Sequence, residues 1–136
     1  MDINSAMKIS AAGMRAQGAR LRVIAENLAN VHSTASSPDG LPYRRKTITF
    51  ANEMDRALGA EVVKVKRIGV DSSDFQRRYE PGHPSADAQG YVLYPNVNSL
   101  IEAMDMREAQ RSYEANVNVI DASKTMLLRT LDIIRS

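Results

Sequence analysis

The chain contains two histidines and no cysteine, so the histidines are the first candidates for a catalytic or metal site. His83 and Asp87 lie four residues apart, a spacing that could place both side chains on one metal ion if they stood on a helix. Pro81 and Pro84 flank the histidine and disfavour a helix. Two ligands would also leave a four-coordinate zinc site incomplete. We therefore interpret His83 as a loop residue that packs or caps a turn, and we predict no metal site.

The chain contains none of the motifs that hold a catalytic serine, a nucleotide phosphate or the zinc of a hydrolase. The absence of cysteine excludes disulfide scaffolds, thiolate catalysis and Cys-ligated zinc or iron–sulfur centres. Most carboxylates lie on predicted helix surfaces beside basic residues, a pattern typical of solvated ion pairs. We predict that the protein is not an enzyme and uses no cofactor.

Three short basic runs, Arg44-Arg45-Lys46, Lys64-Val65-Lys66-Arg67 and Arg77-Arg78, could contact phosphate, with Tyr43 and Phe50 available for stacking. However, acidic residues lie within a few positions of each run, and the formal net charge of the whole chain is only +2. Such short runs are a weak signal for nucleic acid. A mixed-charge surface for protein contacts is the better interpretation, and we predict no nucleic-acid partner.

The elements that position these residues begin with an N-terminal helix. Alternating steps of four and three residues from Ile3 meet apolar side chains at most positions up to residue 31, which indicates a heptad seam. Gly13 and Gly18 each weaken a helix by about 1 kcal/mol relative to Ala. The helix should therefore need a partner, and Asn27 and Asn30 mark its predicted end.

A longer helix is predicted at the C-terminal end. Ser99 and Glu102 have the spacing of a capping box, and an apolar seam continues from Ala103 to Ile134 without a Gly or Pro. A helix over 99–134 would be about 54 Å long. A compact domain of this chain length is under about 40 Å across. Much of the seam should therefore contact other molecules.

The middle of the chain is rich in Gly, Pro and aromatic residues and predicts short strands and turns. The predicted strands are Tyr43–Phe50, Glu61–Val70, Gln76–Glu80 and Gly90–Tyr94, with a helical turn at Asn52–Leu58. The predicted fold is mainly α with a small β insert, in which the long N- and C-terminal helices form an antiparallel coiled-coil pair. The predicted regions are 1–34, 35–98 and 99–136.

No apolar run approaches the roughly 18 residues of a membrane-spanning helix, so no integral membrane segment is predicted. Lys8, Arg15 and Arg20 interrupt any apolar stretch of a cleavable signal peptide. Composition alone would therefore predict a non-secreted, soluble protein.

Several motifs resemble one family. Glu26–Asn30, at the end of an amphipathic helix, resembles the N-terminal motif of the flagellar rod and hook proteins. Ser37–Lys46, Tyr79–Val92, Pro95–Asn98 and Arg111–Val117, in this order, resemble the proximal rod proteins of the bacterial flagellar basal body. The matching positions are Asn27, Asn30, Tyr43, Arg44, Arg45, Lys46, Pro81, Gly82, His83, Pro84, Gly90, Tyr91 and Asn116.

The resemblance implies a structural protein whose terminal helices pack into an inner tubular layer, with the middle region outside. It implies assembly with further copies and with FlgB-, FlgF-, FlgG- and FliE-type rod proteins. It also implies passage through the flagellar type III export apparatus, without a cleaved signal peptide, to a rod that crosses the periplasm. This location replaces the one expected from composition.

The two apolar seams predict the subunit contacts of such an assembly. The predicted interface residues are Met7, Met14, Leu21, Ile24, Leu28, Met106, Tyr113, Val117, Ile120, Leu127, Leu131 and Ile134. Two alternatives use the same features: a soluble coiled-coil adaptor or assembly chaperone, and, with less support, a nucleic-acid-binding module.

Overall fold

The computed structural model describes residues 2–136 as two long helices with four strands between them. Helix α1 spans Ile3–Ala29 and helix α2 spans Ser99–Arg135. The strands are β1 (Lys46–Asp55), β2 (Ala60–Val70), β3 (Gln76–Tyr79) and β4 (Tyr91–Tyr94). The predicted arrangement of two terminal helices around a small β insert is confirmed at this level, and the antiparallel coiled-coil pairing of the helices stays a prediction.

Helix α1 begins and ends at side-chain caps. The carboxylate of Asp2 accepts a hydrogen bond from the Ser5 N–H at 2.7 Å. Hydrogen bonding to Ser5 lowers the pKa of Asp2 below its usual value. At the other end, the Asn30 side chain donates to the Glu26 carbonyl at 2.8 Å. The helix therefore ends where the two asparagines predicted it.

The first turn of α2 differs from the predicted capping box. The Asn98 side-chain oxygen, not the Ser99 hydroxyl, accepts from the N–H groups of Leu100 and Ile101 at 3.0 and 3.3 Å. Glu102 does not reach back to the helix start, because its carboxylate is buried and bound elsewhere. Ser and Asn are comparable N-caps, so adjacent candidates leave the sequence pattern ambiguous by one residue.

Strands β1 and β2 form a hydrogen-bonded pair joined by the turn at 56–59, which makes them an antiparallel hairpin. The helical turn predicted at Asn52–Leu58 is wrong, since β1 continues to Asp55. The Asp55 carboxylate closes the turn by accepting from the Ala57 and Leu58 N–H groups. Gly59 follows with a φ of 66°, a conformation that glycine adopts without steric cost.

Strands β3 and β4 pair antiparallel, with Arg77 opposite Leu93 and Tyr79 opposite Tyr91. Alternation along β4 buries Val92 and Tyr94 and exposes the residues between them. The turn before β4 contains Gly90 at a φ of 88°. A Cβ there would lie 2.8 Å from the Tyr79 ring, so both the backbone conformation and the space require glycine.

The chain divides into two compact units, and both helices contribute to each. The first unit comprises the chain up to Leu21, the hairpin segment Thr49–Arg67 and Arg107–Ser136; its buried apolar residues include Ala12, Ala16, Val62 and Ala109. The second comprises Arg22–Ile48 and Ile68–Met106, with Val23, Ile24, Val92, Tyr94 and Val97 buried. The predicted division at residues 34 and 98 follows the element boundaries and stays a prediction for the assembly.

Within the first unit, small residues line the contact between the helices. A Cβ at Gly13 would lie 2.7 Å from the Asn116 side chain, and one at Gly18 would lie 4.0 Å from the Tyr113 ring. The buried face of α2 includes the small residues Ala109 and Ser123. Small side chains at these positions permit the close approach of the two helices.

Candidate functional site

A buried carboxylate on α2 is the centre of a polar network in the second unit. Glu102 has 0 % of its surface exposed. Its Oε1 accepts a hydrogen bond from Arg45 Nε, and its Oε2 lies 3.5 Å from the side-chain nitrogen of Asn27. An ionised side chain is almost never buried in this way without a partner. Glu102 therefore joins α2 to the residues before β1 and to the last turns of α1.

Arg45 extends the network to two further carboxylates. Its guanidinium lies 3.4 Å from the Asp71 carboxylate and 3.9 Å from that of Asp105. Burial alone would disfavour the Arg45 charge, but the hydrogen bond and charge of Glu102 outweigh it, so the pKa of Arg45 lies above its ordinary value. The pKa of Asp71 is lowered, chiefly by the hydrogen bond that its carboxylate accepts from the Ser73 N–H. Arg45 and Asp71 therefore both remain charged at neutral pH.

Asn27 connects α1 to the first residue of β1. Its side-chain amide donates to the Lys46 carbonyl and accepts from the Lys46 N–H, each at 2.9 Å, so it pairs with the backbone as a neighbouring strand would. The Tyr43 hydroxyl donates to the same Asn27 oxygen at 2.7 Å. Burial, together with the charges of Glu26 and Glu102, raises the pKa of Tyr43. The hydroxyl therefore stays a donor well above neutral pH.

Asn96 and Arg44 complete the network on the side of the segment after β2. Asn96 accepts from the Arg45 N–H at 2.8 Å and donates to the carbonyls of Asp71 and Ser73. Arg44 donates to the same two carbonyls at 2.8 and 3.0 Å. Its guanidinium also stacks on the Phe75 ring at 4.2 Å. These bonds satisfy the backbone carbonyls of Asp71 and Ser73, which lie between β2 and β3 and outside any strand.

Five of the predicted motif residues thus come together in this network: Asn27, Tyr43, Arg44, Arg45 and Lys46. Sequence reasoning missed Glu102, which it had assigned to a cap, and Asp71. Asn96 lay inside a matched motif but was not singled out. The sequence offered little signal for Glu102, because its face of α2 also carries the polar residues Asn116 and Ser123.

A second group of motif residues builds the turn between β3 and β4. Gly90 packs beneath the Tyr79 ring and Pro81, and the rings of Tyr79 and Tyr91 meet edge to face at 5.4 Å. His83 binds the backbone of its own turn through Ser85. The remaining members, Gly82 and Pro84, are exposed in the same turn.

Asn30 and Asn116 each serve a helix. The Asn30 side-chain oxygen accepts from the Ser33 hydroxyl at 2.9 Å, which completes the end of α1. Asn116 donates to the Ser112 carbonyl one turn earlier and packs over Gly13.

Most of the predicted interface residues on α1 and the first half of α2 are partly covered within the chain. Ile24 is buried. The half-buried positions are Met7, Met14, Leu21, Leu28, Met106, Tyr113, Val117 and Ile120. By contrast, Leu127, Leu131 and Ile134 are 42 %, 46 % and 74 % exposed. The sequence-derived seam therefore divides into a covered part and an uncovered end.

A second apolar stripe runs along a different face of α2. Val119, Met126 and Ile133 recur at intervals of seven residues and are all exposed. Met126 lies about 100° around the helix from Leu127, and Ile133 lies about 100° from Ile134. The C-terminal third of α2 thus presents apolar side chains in two directions.

Metal sites, membrane-spanning helices and free basic surfaces were also considered in residues 2–136. No three His, Asp or Glu side chains lie close enough together there to hold a metal ion. Neither helix combines the length and the apolar character needed to cross a membrane. The basic runs are partly engaged in ion pairs, including Lys46 with Glu26 at 2.6 Å and Lys64 with Glu53 at 3.1 Å.

Comparison with known proteins identifies the family. Residues 88–133 match the family described as flagellar basal body rod FlgEFG protein C-terminal. The flagellar basal-body rod protein FlgC of Agrobacterium fabrum is 48 % identical over 134 residues, covering 98 % of this chain and 96 % of that protein. FlgC of Salmonella typhimurium is 42 % identical over 92 % of both chains. FlgC of Bacillus subtilis is 37 % identical over 93 % of this chain and 95 % of its own length.

These relatives align with nearly the whole chain. The resemblance inferred from the motifs is confirmed, and the chain belongs to the FlgC family of flagellar basal-body rod proteins.

Proposed function

We propose that this flagellar rod protein performs its structural role by packing both apolar faces of its C-terminal helix against neighbouring subunits, as part of the shaft that transmits torque. The observation that carries the proposal is the exposure of Leu127, Leu131 and Ile134 in a continuous helix. Monomeric soluble proteins rarely leave large contiguous apolar surfaces uncovered, and such surfaces commonly mark contacts.

The first face continues the contact with α1. Leu127, Leu131 and Ile134 follow Tyr113 and Ile120 at heptad spacing, on the side of α2 that packs against small residues of α1. A helix from a neighbouring subunit could extend the same seam. We expect coiled-coil packing along it, with side chains of one helix inserted between those of the other.

The second face requires a different neighbour. The stripe containing Val119, Met126 and Ile133 is rotated by about 100° from the line of Ile120, Leu127 and Ile134. The two faces together cover an arc of about 160°, and we expect a second neighbour to cover the stripe. A subunit with two dissimilar contact faces forms head-to-tail interfaces, which do not close by two-fold symmetry and allow a helical tube to grow.

The partners we propose are further copies of this chain and FlgB-, FlgF-, FlgG- and FliE-type rod proteins. We also propose passage through the type III export apparatus, without a cleaved signal peptide, to the periplasmic part of the rod. The weakly supported end of α2 suits such transport, because a helix without tertiary contacts unfolds at little cost. No catalytic step enters this function, since the relatives are rod proteins rather than enzymes.

The test is Leu127→Asp, assayed by motility in soft agar and by the presence of the chain in purified basal bodies. Leu127 is exposed in the single chain, so the substitution should leave the fold intact, as checked by circular dichroism. Burial of an unpaired carboxylate at a subunit contact would cost several kcal/mol and should abolish assembly.

Thr125→Asp is the matched control. It adds the same charge two residues away, at an exposed position outside both apolar faces, and should remain motile. Normal motility and incorporation of Leu127→Asp would refute the proposed contact. Loss of function in both variants would indicate that added negative charge, rather than the apolar face, is responsible.

A further inference from the structure

Two exposed cations lie seven residues apart on α1 and form what we call the basic edge. Lys8 and Arg15 are both exposed, and neither forms an ion pair within residues 2–136. They lie about 140° and 160° around α1 from Gly13, the residue that lies beneath Asn116 of α2. The basic edge is therefore on the side of α1 that faces away from α2.

Two exposed carboxylates have the same spacing on α2 and form an acidic edge. Glu114 and Asp121 are exposed, and in the described part of the chain neither has an ion-pair partner. They lie about 160° and 140° around α2 from Asn116, the residue that contacts α1. The acidic edge is therefore on the side of α2 that faces away from α1.

The two edges lie at the same level along the helices. A Cβ at Gly13 would lie 2.7 Å from the Asn116 side chain, and Arg20 pairs with Glu108 at 3.5 Å. Because these contacts run in opposite directions along the two helices, the fifth residue before Gly13 is level with the fifth residue after Asn116. The basic and acidic edges thus stand at one level, on opposite sides of the first unit.

A second copy placed beside the first would bring opposite charges together. If it is moved sideways without a shift along the helices, its acidic edge meets the basic edge of the first copy. Charges at heptad positions of adjacent helices pair across the contact and set the choice and orientation of the partner. The complementarity covers two heptad positions, because the next residue of each line is basic, Arg22 on α1 and Arg107 on α2.

A groove beside the basic edge leaves room for a helix of the second copy. It has a volume of about 510 Å³ and lies between α1 and the hairpin of β1 and β2. Its floor contains the buried residues Ala12, Ala16 and Val62, whose short side chains permit a close approach. On α1 the lining runs from Lys8 to Ala16, so Arg22 lies beyond the groove. The groove therefore coincides with the basic edge and favours the unshifted arrangement.

We propose that the acidic edge of a second copy of this chain docks at this groove, with Asp121 of one copy paired to Lys8 of the other and Glu114 paired to Arg15. The inference rests on the proposed function only in that copies must meet within the rod. The contact joins two different edges, so it is head-to-tail and can repeat from copy to copy. It is also separate from the apolar faces of α2, since Asp121 lies about 120° around the helix from Leu127.

Engineered disulfides in purified basal bodies test the contact, because the chain has no cysteine of its own. Ala11→Cys lies at the middle of the basic edge and Asn118→Cys at the middle of the acidic edge. A chain with both substitutions should form disulfide-linked multimers on mild oxidation, whereas each single variant should not. The two positions face opposite sides of the first unit, too far apart for a bridge within one chain. A chain that enters basal bodies without forming multimers, or that is linked to a different protein instead, would overturn the proposal.

Charge reversal tests whether the ion pairs hold this contact. In the double-cysteine chain, Lys8→Glu with Arg15→Glu should lower the multimer yield at least about tenfold, because like charges then meet. Adding Glu114→Lys and Asp121→Lys restores opposite charges and should restore the yield. Arg22→Glu is the matched control on α1 and should not lower the yield. All these positions are exposed, so circular dichroism should show an unchanged fold.

The outcomes separate this contact from the proposed function. Exclusion of the Lys8→Glu, Arg15→Glu chain from basal bodies, with re-entry of the fourfold variant, would support the pairing as a lower yield does. Equal yields with native and reversed charges, or a fourfold variant that is not restored, would overturn it. If the charge variants behave as wild type while Leu127→Asp blocks incorporation, the edge contact is refuted and the role of the apolar faces stands.

Discussion

At the scale of single residues, the family motifs of this protein serve to join segments rather than to perform chemistry. Glu102 accepts from Arg45, and Asn27 pairs with the backbone of Lys46. Such side chains replace ladder hydrogen bonds where the chain enters the β insert from α1. A buried carboxylate at this point favours one arrangement, because alternative packings would leave its charge unpaired.

Glu102→Ala should destabilise the protein by about 3 kcal/mol or more, since removal of one partner leaves the Arg45 charge partly buried. Glu102→Gln keeps an oxygen acceptor of similar size and should cost less. The double substitution Arg45→Met with Glu102→Leu should be closer to wild type than Glu102→Ala, because it removes both charges together. Urea unfolding followed by circular dichroism measures all three. Equal stability of Glu102→Ala and wild type would show that the network contributes nothing to the fold.

At the scale of elements, the two helices meet through small side chains. Gly13 lies beneath Asn116, and Gly18 lies at an ordinary contact distance from the Tyr113 ring. The two glycines look equivalent in the sequence, where each lowers helix propensity by the same amount. Their surroundings differ, because a side chain at Gly13 must displace Asn116, whereas one at Gly18 makes only an ordinary contact with the Tyr113 ring.

Gly18→Ala should therefore stabilise the protein by about 0.5–1 kcal/mol through helix propensity. Gly13→Ala gains the same propensity but must displace the Asn116 side chain, which donates to the Ser112 carbonyl, so we expect no net gain. Thermal unfolding of the two variants and the wild type gives the comparison. If Gly13→Ala were as stabilising as Gly18→Ala, the close approach between the helices would be disproved.

At the scale of the whole molecule, α2 is longer than the part of it that the chain covers. Its last 12 residues, 124–135, extend over about 18 Å and are exposed throughout. An isolated helix of this length is marginal in water. The subunit is thus incomplete by itself at this end, which fits a member of a polymerising family.

Hydrogen exchange should expose this division within α2. In the isolated subunit, amides of residues 124–135 should exchange far faster than those of residues 102–120, because the former are exposed throughout whereas the latter include buried and half-buried positions. In purified basal bodies the same terminal amides should become protected. Mass spectrometry of proteolytic fragments from both samples provides the measurement. Strong protection of 124–135 in the isolated subunit would mean that the helix end is already covered and would contradict the proposed role of this end in assembly.

Much of the architecture could be predicted because it depends on local patterns. Heptad spacing indicated both helices, the asparagines marked the end of α1, and the absence of Gly or Pro after Pro95 indicated the length of α2. Three of the four predicted strands were placed within a few residues. The error at Asn52–Leu58 arose because periodicity does not distinguish a short helical turn from the end of a strand.

The sequence by itself therefore determined the helices, most of the strands and the excess of apolar surface, since these follow from composition and spacing along the chain. It also indicated the family, through the resemblance of its motifs. Only the tertiary structure decided which side chains meet. It assigned Glu102 to Arg45 instead of a helix cap, and it left Leu131 exposed while Ile24 is buried. The physical reason is that burial and ion pairing depend on distances between residues far apart in sequence, such as Arg45 and Glu102, and no local pattern encodes those distances.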